Sequence, residues 1–93
     1  MGREVLTRIR RAVRSGRYII SDHALDEAGF DDLLEADILD VLLTGSLDAV
    51  YSDDPRGPRY VVRGTIEPFE FDVVCRFQAS GVLLIIITVY QVD

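Results

Sequence analysis

The run GVLLIIITVY (residues 81–90) is apolar at nearly every position, and its reading decides the fold. Its uninterrupted core, VLLIII (82–87), falls far short of the ~20 residues needed to span a bilayer. Gly81 precedes it and β-branched residues dominate it, so it reads as a strand. A strand without polar alternation is expected in the middle of a sheet, covered on both faces for most of its length. Only Thr88 and Tyr90 give it polar tips.

Working back from this strand, FEFDVVCRF (69–77) alternates with period two. Phe69, Phe71, Val73, Cys75 and Phe77 point one way, and Glu70, Asp72, Val74 and Arg76 the other. One sheet face therefore packs on helices. RYVVRGTI (59–66) and LDAVYS (47–52) are two more strands, joined across the turn-rich DDPRGPR (53–59) as a hairpin with a long loop. Before Gly45 the period changes to 3.6. EADILDVLLTG (35–45) is a helix whose apolar face is Ala36, Ile38, Leu39, Leu42 and Leu43, with Gly45 as its stop. A helix also begins near His23, capped by Ser21 or Asp22 and ended or bent at Gly29, and RYIIS (17–21) is a short strand candidate. In REVLTRIRRAVRSG (3–16), a step of 100° per residue gathers Val5, Leu6, Ile9, Ala12 and Val13 on one side and the arginines on the other, with Gly16 as the stop. The expected architecture is one α+β domain over residues 1–93, N-terminal helices packed on an antiparallel sheet of about four strands.

The chain has 93 residues, 48% hydrophobic and 28% charged, an ordinary composition for a soluble globular domain. The opening MGREVLTRIRRAV lacks the apolar core of a signal peptide, so a cytoplasmic location and no membrane association are expected. One cysteine, Cys75, cannot form an internal disulfide, and no Cys/His cluster exists to hold zinc. No metal and no cofactor are expected. Cys75 shares the parity of four apolar residues, which marks a buried, inert thiol rather than a nucleophile.

The net charge of −6 argues against general affinity for polyanions, but it is unevenly spread. Residues 1–20 hold six Arg and one Glu, residues 21–54 eleven acids and no base, and residues 55–93 four of each sign. The basic first helix reads as an association element. Its partner would be an acidic protein or the acidic segment of a second copy in a homodimer, and reversing Arg10, Arg11 and Arg14 should weaken the contact. All ten bases are Arg, which suits bidentate contact with phosphate or carboxylate and also follows from GC-rich coding.

Each polar candidate has two readings. His23, the only histidine, brings an imidazole to a helix start, so it reads as an acid/base group or a fixed hydrogen bond to the loop or sheet. Arg63 and Arg76, on adjacent strands, are a phosphate-sized pair of forks or are paired with Glu70, Asp72 or the acidic helices. Thr88 and Tyr90 donate hydrogen bonds to a ligand or cap the edge of the core. Arg56 and Arg59 grip a backbone phosphate or pair with Asp53 and Asp54, which themselves read as ordinary turn residues or a cation site.

The segments SDHALDEAGF (21–30), ADILDVLLTG (36–45), YSDDPRGPRYVVRG (51–64) and ITVY (87–90) together resemble the small bacterial domains grouped as domain of unknown function 4258, which are related to RelE-like toxins. The resemblance covers residues 18–91. It implies a RelE/barnase-like fold, a toxin-like role in a toxin-antitoxin system, metal-independent endoribonuclease activity on RNA, and a cognate antitoxin protein as partner. In that reading His23, Arg63, Arg76 and Tyr90 are catalytic and Arg56, Arg59 and Thr88 bind substrate, since cleavage needs a proton acceptor, a proton donor and cations for the phosphorane. The chain departs from the family pattern at Glu27 and Asp31, where basic residues are usual. That reversal leaves open an alternative, a non-catalytic protein-binding module of the same fold.

Overall fold

A computed structural model describes residues 2–93. Its elements are α1 (Gly2–Arg14), β1 (Tyr18–Ile20), α2 (Asp22–Phe30), α3 (Glu35–Thr44), β2 (Ser46–Tyr51), β3 (Arg59–Ile66), β4 (Phe69–Phe77) and β5 (Leu84–Gln91). The strands form one sheet in the order β1-β5-β4-β3-β2. The pairs β2–β3, β3–β4 and β4–β5 are antiparallel, whereas β1 runs parallel to β5 with Tyr18, Ile19 and Ile20 opposite Leu84, Ile85 and Ile86.

Local chemistry explains the helix boundaries. α1 ends in a left-handed turn at Gly16 (φ +73°), with the Arg17 N–H on the Ala12 carbonyl at 2.8 Å and the Gly16 N–H on the Val13 carbonyl at 3.2 Å. This pattern absorbs carbonyls that the helix leaves free. Ser21 caps α2: its hydroxyl accepts from the Ala24 N–H at 3.1 Å and donates to the Ile87 carbonyl at 2.8 Å, tying the helix start to β5. α2 continues through Gly29 to Phe30 and stops where Asp32 takes a left-handed conformation (φ +56°). At the start of α3 the Asp37 carboxylate accepts from the Leu34 N–H at 2.9 Å.

All three helices lie on one face of the sheet. Ile9, Ala12 and Val13 of α1, Ala24 and Ala28 of α2, and Ile38, Val41 and Leu42 of α3 share one core with Tyr60, Val62, Val73, Cys75, Leu84, Ile86 and Val89. The buried wall of α3 includes Val41, while Ala36, expected on that wall, is exposed.

The sheet differs from expectation in its strand number, in being mixed and in how β5 is covered. It has five strands rather than about four, and it is mixed, because β1 joins in parallel. The run at 81–90 supplies β5, an interior strand as expected, flanked by β4 and the short β1, while the centre of the five falls to β4. β5 is also covered by helices on one face only, with Ile85 and Ile87 half-buried. The apolar run has a different origin: a bulge between the pairs Cys75–Ile86 and Val74–Thr88 shifts the parity, so Leu84, Ile86 and Val89 all reach the core. Among the described residues no helix is long and apolar enough to cross a membrane.

Cys75 is fully buried, and desolvation pushes its thiol up from an ordinary 9.0 to about 12. With the folded value above the unfolded one, the thiol favours the native state equally at all pH below about 9, and that stability is lost as pH rises from about 9 towards 12. Urea melts over about pH 9 to 11 should show wild type losing stability faster than Cys75→Ala, by up to about 1.4 kcal/mol per pH unit. Equal slopes would contradict the burial of the thiol.

Candidate functional site on the uncovered sheet face

The face of the sheet turned away from the helices carries most of the polar candidates. Register places Arg63, Asp72 and Tyr90 in one row across β3, β4 and β5. The next row is Ala49, Val61, Val74 and Thr88, and beyond it lie Tyr51, Arg59, Arg76 and Ile85. Ile19 extends this last row onto β1 and is half exposed.

Arg63 is held by carboxylates. Its Nε and Nη2 donate to the two oxygens of Asp72 at 2.8 and 3.1 Å, and Nη2 lies 3.5 Å from Asp48. Asp72 is the one buried charged residue of the described chain, 3% exposed. The Asp72 bond raises the Arg63 pKa further above its ordinary value, so the fork stays charged and occupied. Tyr90, directly opposite Asp72, has its phenol pKa raised first by burial and then by the Asp72 carboxylate. The structure thus brings Arg63 and Tyr90 together around a shared acid.

The remaining candidates stand apart from that group. Arg76 shares the face but sits four residues along β4 from Asp72, about 13 Å at the rise of an extended strand. Among the described residues it makes no ion pair. Thr88 lies between, opposite Val74. Arg56 and Arg59 both lean on Asp54: Arg56 donates its N–H at 2.9 Å and its Nε at 3.3 Å, and the Arg59 Nε lies at 3.7 Å without a hydrogen bond although that nitrogen is buried. The backbone N–H of Arg56, then its side chain, hold the Asp54 carboxyl below its usual range. Arg59 also sits 5.8 Å over the Tyr51 ring.

His23 belongs to α2, in the helix layer. Its side chain is two-thirds exposed, with Nε2 3.7 Å from the Glu27 carboxylate one turn on. The acid standing where the family resemblance anticipates a base therefore sits beside the histidine. Arg10, read from the sequence as part of an association surface, turns inward instead. Its Nη2 donates to the Gly45 carbonyl at 2.8 Å and its Nε to the Leu42 carbonyl at 3.4 Å, so it caps the C-terminus of α3. The sequence carried a signal for this, since Arg10 follows Leu6 by four and precedes Val13 by three and so borders the apolar stripe.

With this geometry in view, residues 20–91 match a family described as domain of unknown function (DUF4258). The chain belongs to this family. In DUF4258 terms the match runs from the end of β1 to the end of β5 and takes in the whole uncovered face except Ile19, while α1 lies ahead of it. Searches of curated proteins and of solved structures found no match.

Proposed function

We propose that this DUF4258 domain is the toxin-like member of a toxin-antitoxin pair and acts as a protein-binding module, its antitoxin covering the uncovered sheet face. The observation that carries this reading is that most cations of that face are already engaged, Arg76 alone standing without an ion pair among the described residues. Arg63 is engaged by Asp72 and Asp48, and Arg59 leans on Asp54. Beside Arg76, what the face then offers is apolar and aromatic: Ile19, Tyr51 and Tyr90 are each about half exposed. Tyr, Arg and aliphatic groups with few free charges are what protein interfaces are built from, whereas a polyanion needs open cations.

Endoribonuclease activity is the second reading, favoured by the common face of Arg63, Arg76, Thr88 and Tyr90. The two separate in one set of measurements. The domain should form a stable complex with the small protein encoded next to it, and Tyr90→Arg or Ile19→Arg should weaken that complex tenfold or more, each arginine forcing a charge into the desolvated centre. The same preparation, free of antitoxin, should leave varied RNAs intact. RNA cleavage that falls on the order of 10² in Arg76→Gln or Tyr90→Phe, with folding unchanged, would overturn the binding module in favour of the ribonuclease.

A further inference from the structure

A second charged region lies at the pole formed by the end of α1 and the turn between β4 and β5. Arg8, Arg11, Arg17, Phe77, Gly81 and Val82 line a cleft of about 200 Å³ with no carboxylate in its wall. The Arg8 guanidinium stands 4.3 Å from the Phe77 ring centroid, and Gly81 (φ +76°) leaves its Nη2 room, 3.9 Å from where a Cβ would stand. Stacked on the ring, Arg8 keeps its plane while its fork edge stays free. Arg11 is one turn on along the same helix face, and Arg17 is fixed by its carbonyl, which accepts from the Leu84 N–H at 3.0 Å.

Among the described residues none of these three arginines forms an ion pair, although the chain carries sixteen acids. Like charges at this spacing weaken a helix, so the cleft is in deficit of an anion. On the other side of Arg8 and Phe77 a second cleft of about 340 Å³ opens, walled by Arg56, Gly57, Pro58, Tyr60, Gln78 and Ala79. Its volume lies in the range of small-molecule sites, and its wall mixes apolar groups with the Gln78 amide and the Arg56 side chain, which already leans on Asp54.

We propose that these joined clefts bind a nucleotide, the phosphate held by Arg8, Arg11 and Arg17 and the base lodged beside Phe77 and Tyr60. A phosphate suits the first cleft better than the carboxylates of another protein. It offers three acceptor oxygens and close to two negative charges from one centre, enough for three forks, whereas one carboxylate satisfies one fork. The free nucleotide and the phosphorylated end of a single RNA strand share this chemistry.

Calorimetric titration of the whole chain with adenosine 5′-monophosphate, a 5′-phosphorylated RNA octamer and plain adenosine tests the site. Adenosine 5′-monophosphate should bind, adenosine should not, and Arg8→Gln and Arg11→Gln should each weaken binding about tenfold or more while melting as wild type does. Binding of the octamer alone, lost in the same variants, would support the site with a strand end as the source. No binding of either phosphate ligand, or binding indifferent to both variants, overturns the proposal. So does finding by sedimentation that these arginines instead hold two copies together in a dimer that the nucleotide does not dissociate.

Discussion

Arg63→Met is expected to lower the melting temperature by on the order of 10 °C, and adding Asp72→Leu to restore most of that loss. The asymmetry follows from the burial of the acid. Asp72 is 3% exposed, and both its oxygens are engaged by the Arg63 fork. Remove the fork, and a desolvated carboxylate remains with only the neighbouring Tyr90 to answer it. Remove both charges, and Leu and Met fill a sheet face that already carries Val61 and Val74 in the next row. Thermal melts of wild type, the two single variants and the double variant form a cycle whose coupling measures the pair. A double variant no more stable than Arg63→Met would mean that the pair is a net source of stability rather than a geometric device of the uncovered face. The cycle also bears on function, since the same fork must be free for any role in phosphate chemistry.

The sequence told the period of nearly every element, and the structure shows where period alone runs out. Val5 to Val13 on one stripe of α1 and the Ser21 cap are local patterns and appear in the fold as read, while β4 keeps the expected parity at Val73, Cys75 and Phe77 but leaves Phe69 half exposed and buries Asp72 and Val74 as well. The order of strands is not local. It depends on three residues, Tyr18 to Ile20, pairing with a segment 66 positions away, and a strand so short has no period to weigh. For β5 the run of aliphatics marked a strand correctly but hid the bulge that turns both Ile86 and Val89 inward. The candidate site divides in the same way. Arg63 beside Asp72 was one of two readings open to a parity argument, while the occupation of both Arg56 and Arg59 by the single acid Asp54 depends on how the loop at 53–59 closes. His23 carried the strongest chemical signal and shows the least about partners, because an exposed side chain leaves no imprint on the pattern of its neighbours.

Gly45→Ala should cost a comparable amount, about 10 °C in melting temperature, although nothing in its backbone conformation demands glycine. Its φ of −77° and ψ of −173° are open to any residue. The constraint is proximity. A Cβ at this position would run into the Arg63 carbonyl oxygen of β3 and stand 2.6 Å from the Val41 carbonyl oxygen of α3. Both are backbone atoms in regular elements, so neither can swing aside as a side chain end would, and relief requires α3 and β3 to separate. The same residue ties α1 to α3: its N–H donates to Val41 at 2.8 Å, and its carbonyl accepts from Arg10 of α1 at 2.8 Å. Overpacking by one methyl commonly costs about 1–3 kcal/mol, and in a domain of this size each kcal/mol is worth about 4–8 °C. Gly29 supplies the contrast within one experiment. It lies inside α2 with nothing within 4 Å of a built Cβ, so Gly29→Ala should raise the melting temperature by a few degrees through helix propensity alone. Opposite signs for the two glycine substitutions are the expected result. A Gly45→Ala variant melting within a degree or two of wild type would show that α3 and β3 do not meet as closely as the fold requires, and with it would fall the placement of Arg10 over the end of α3.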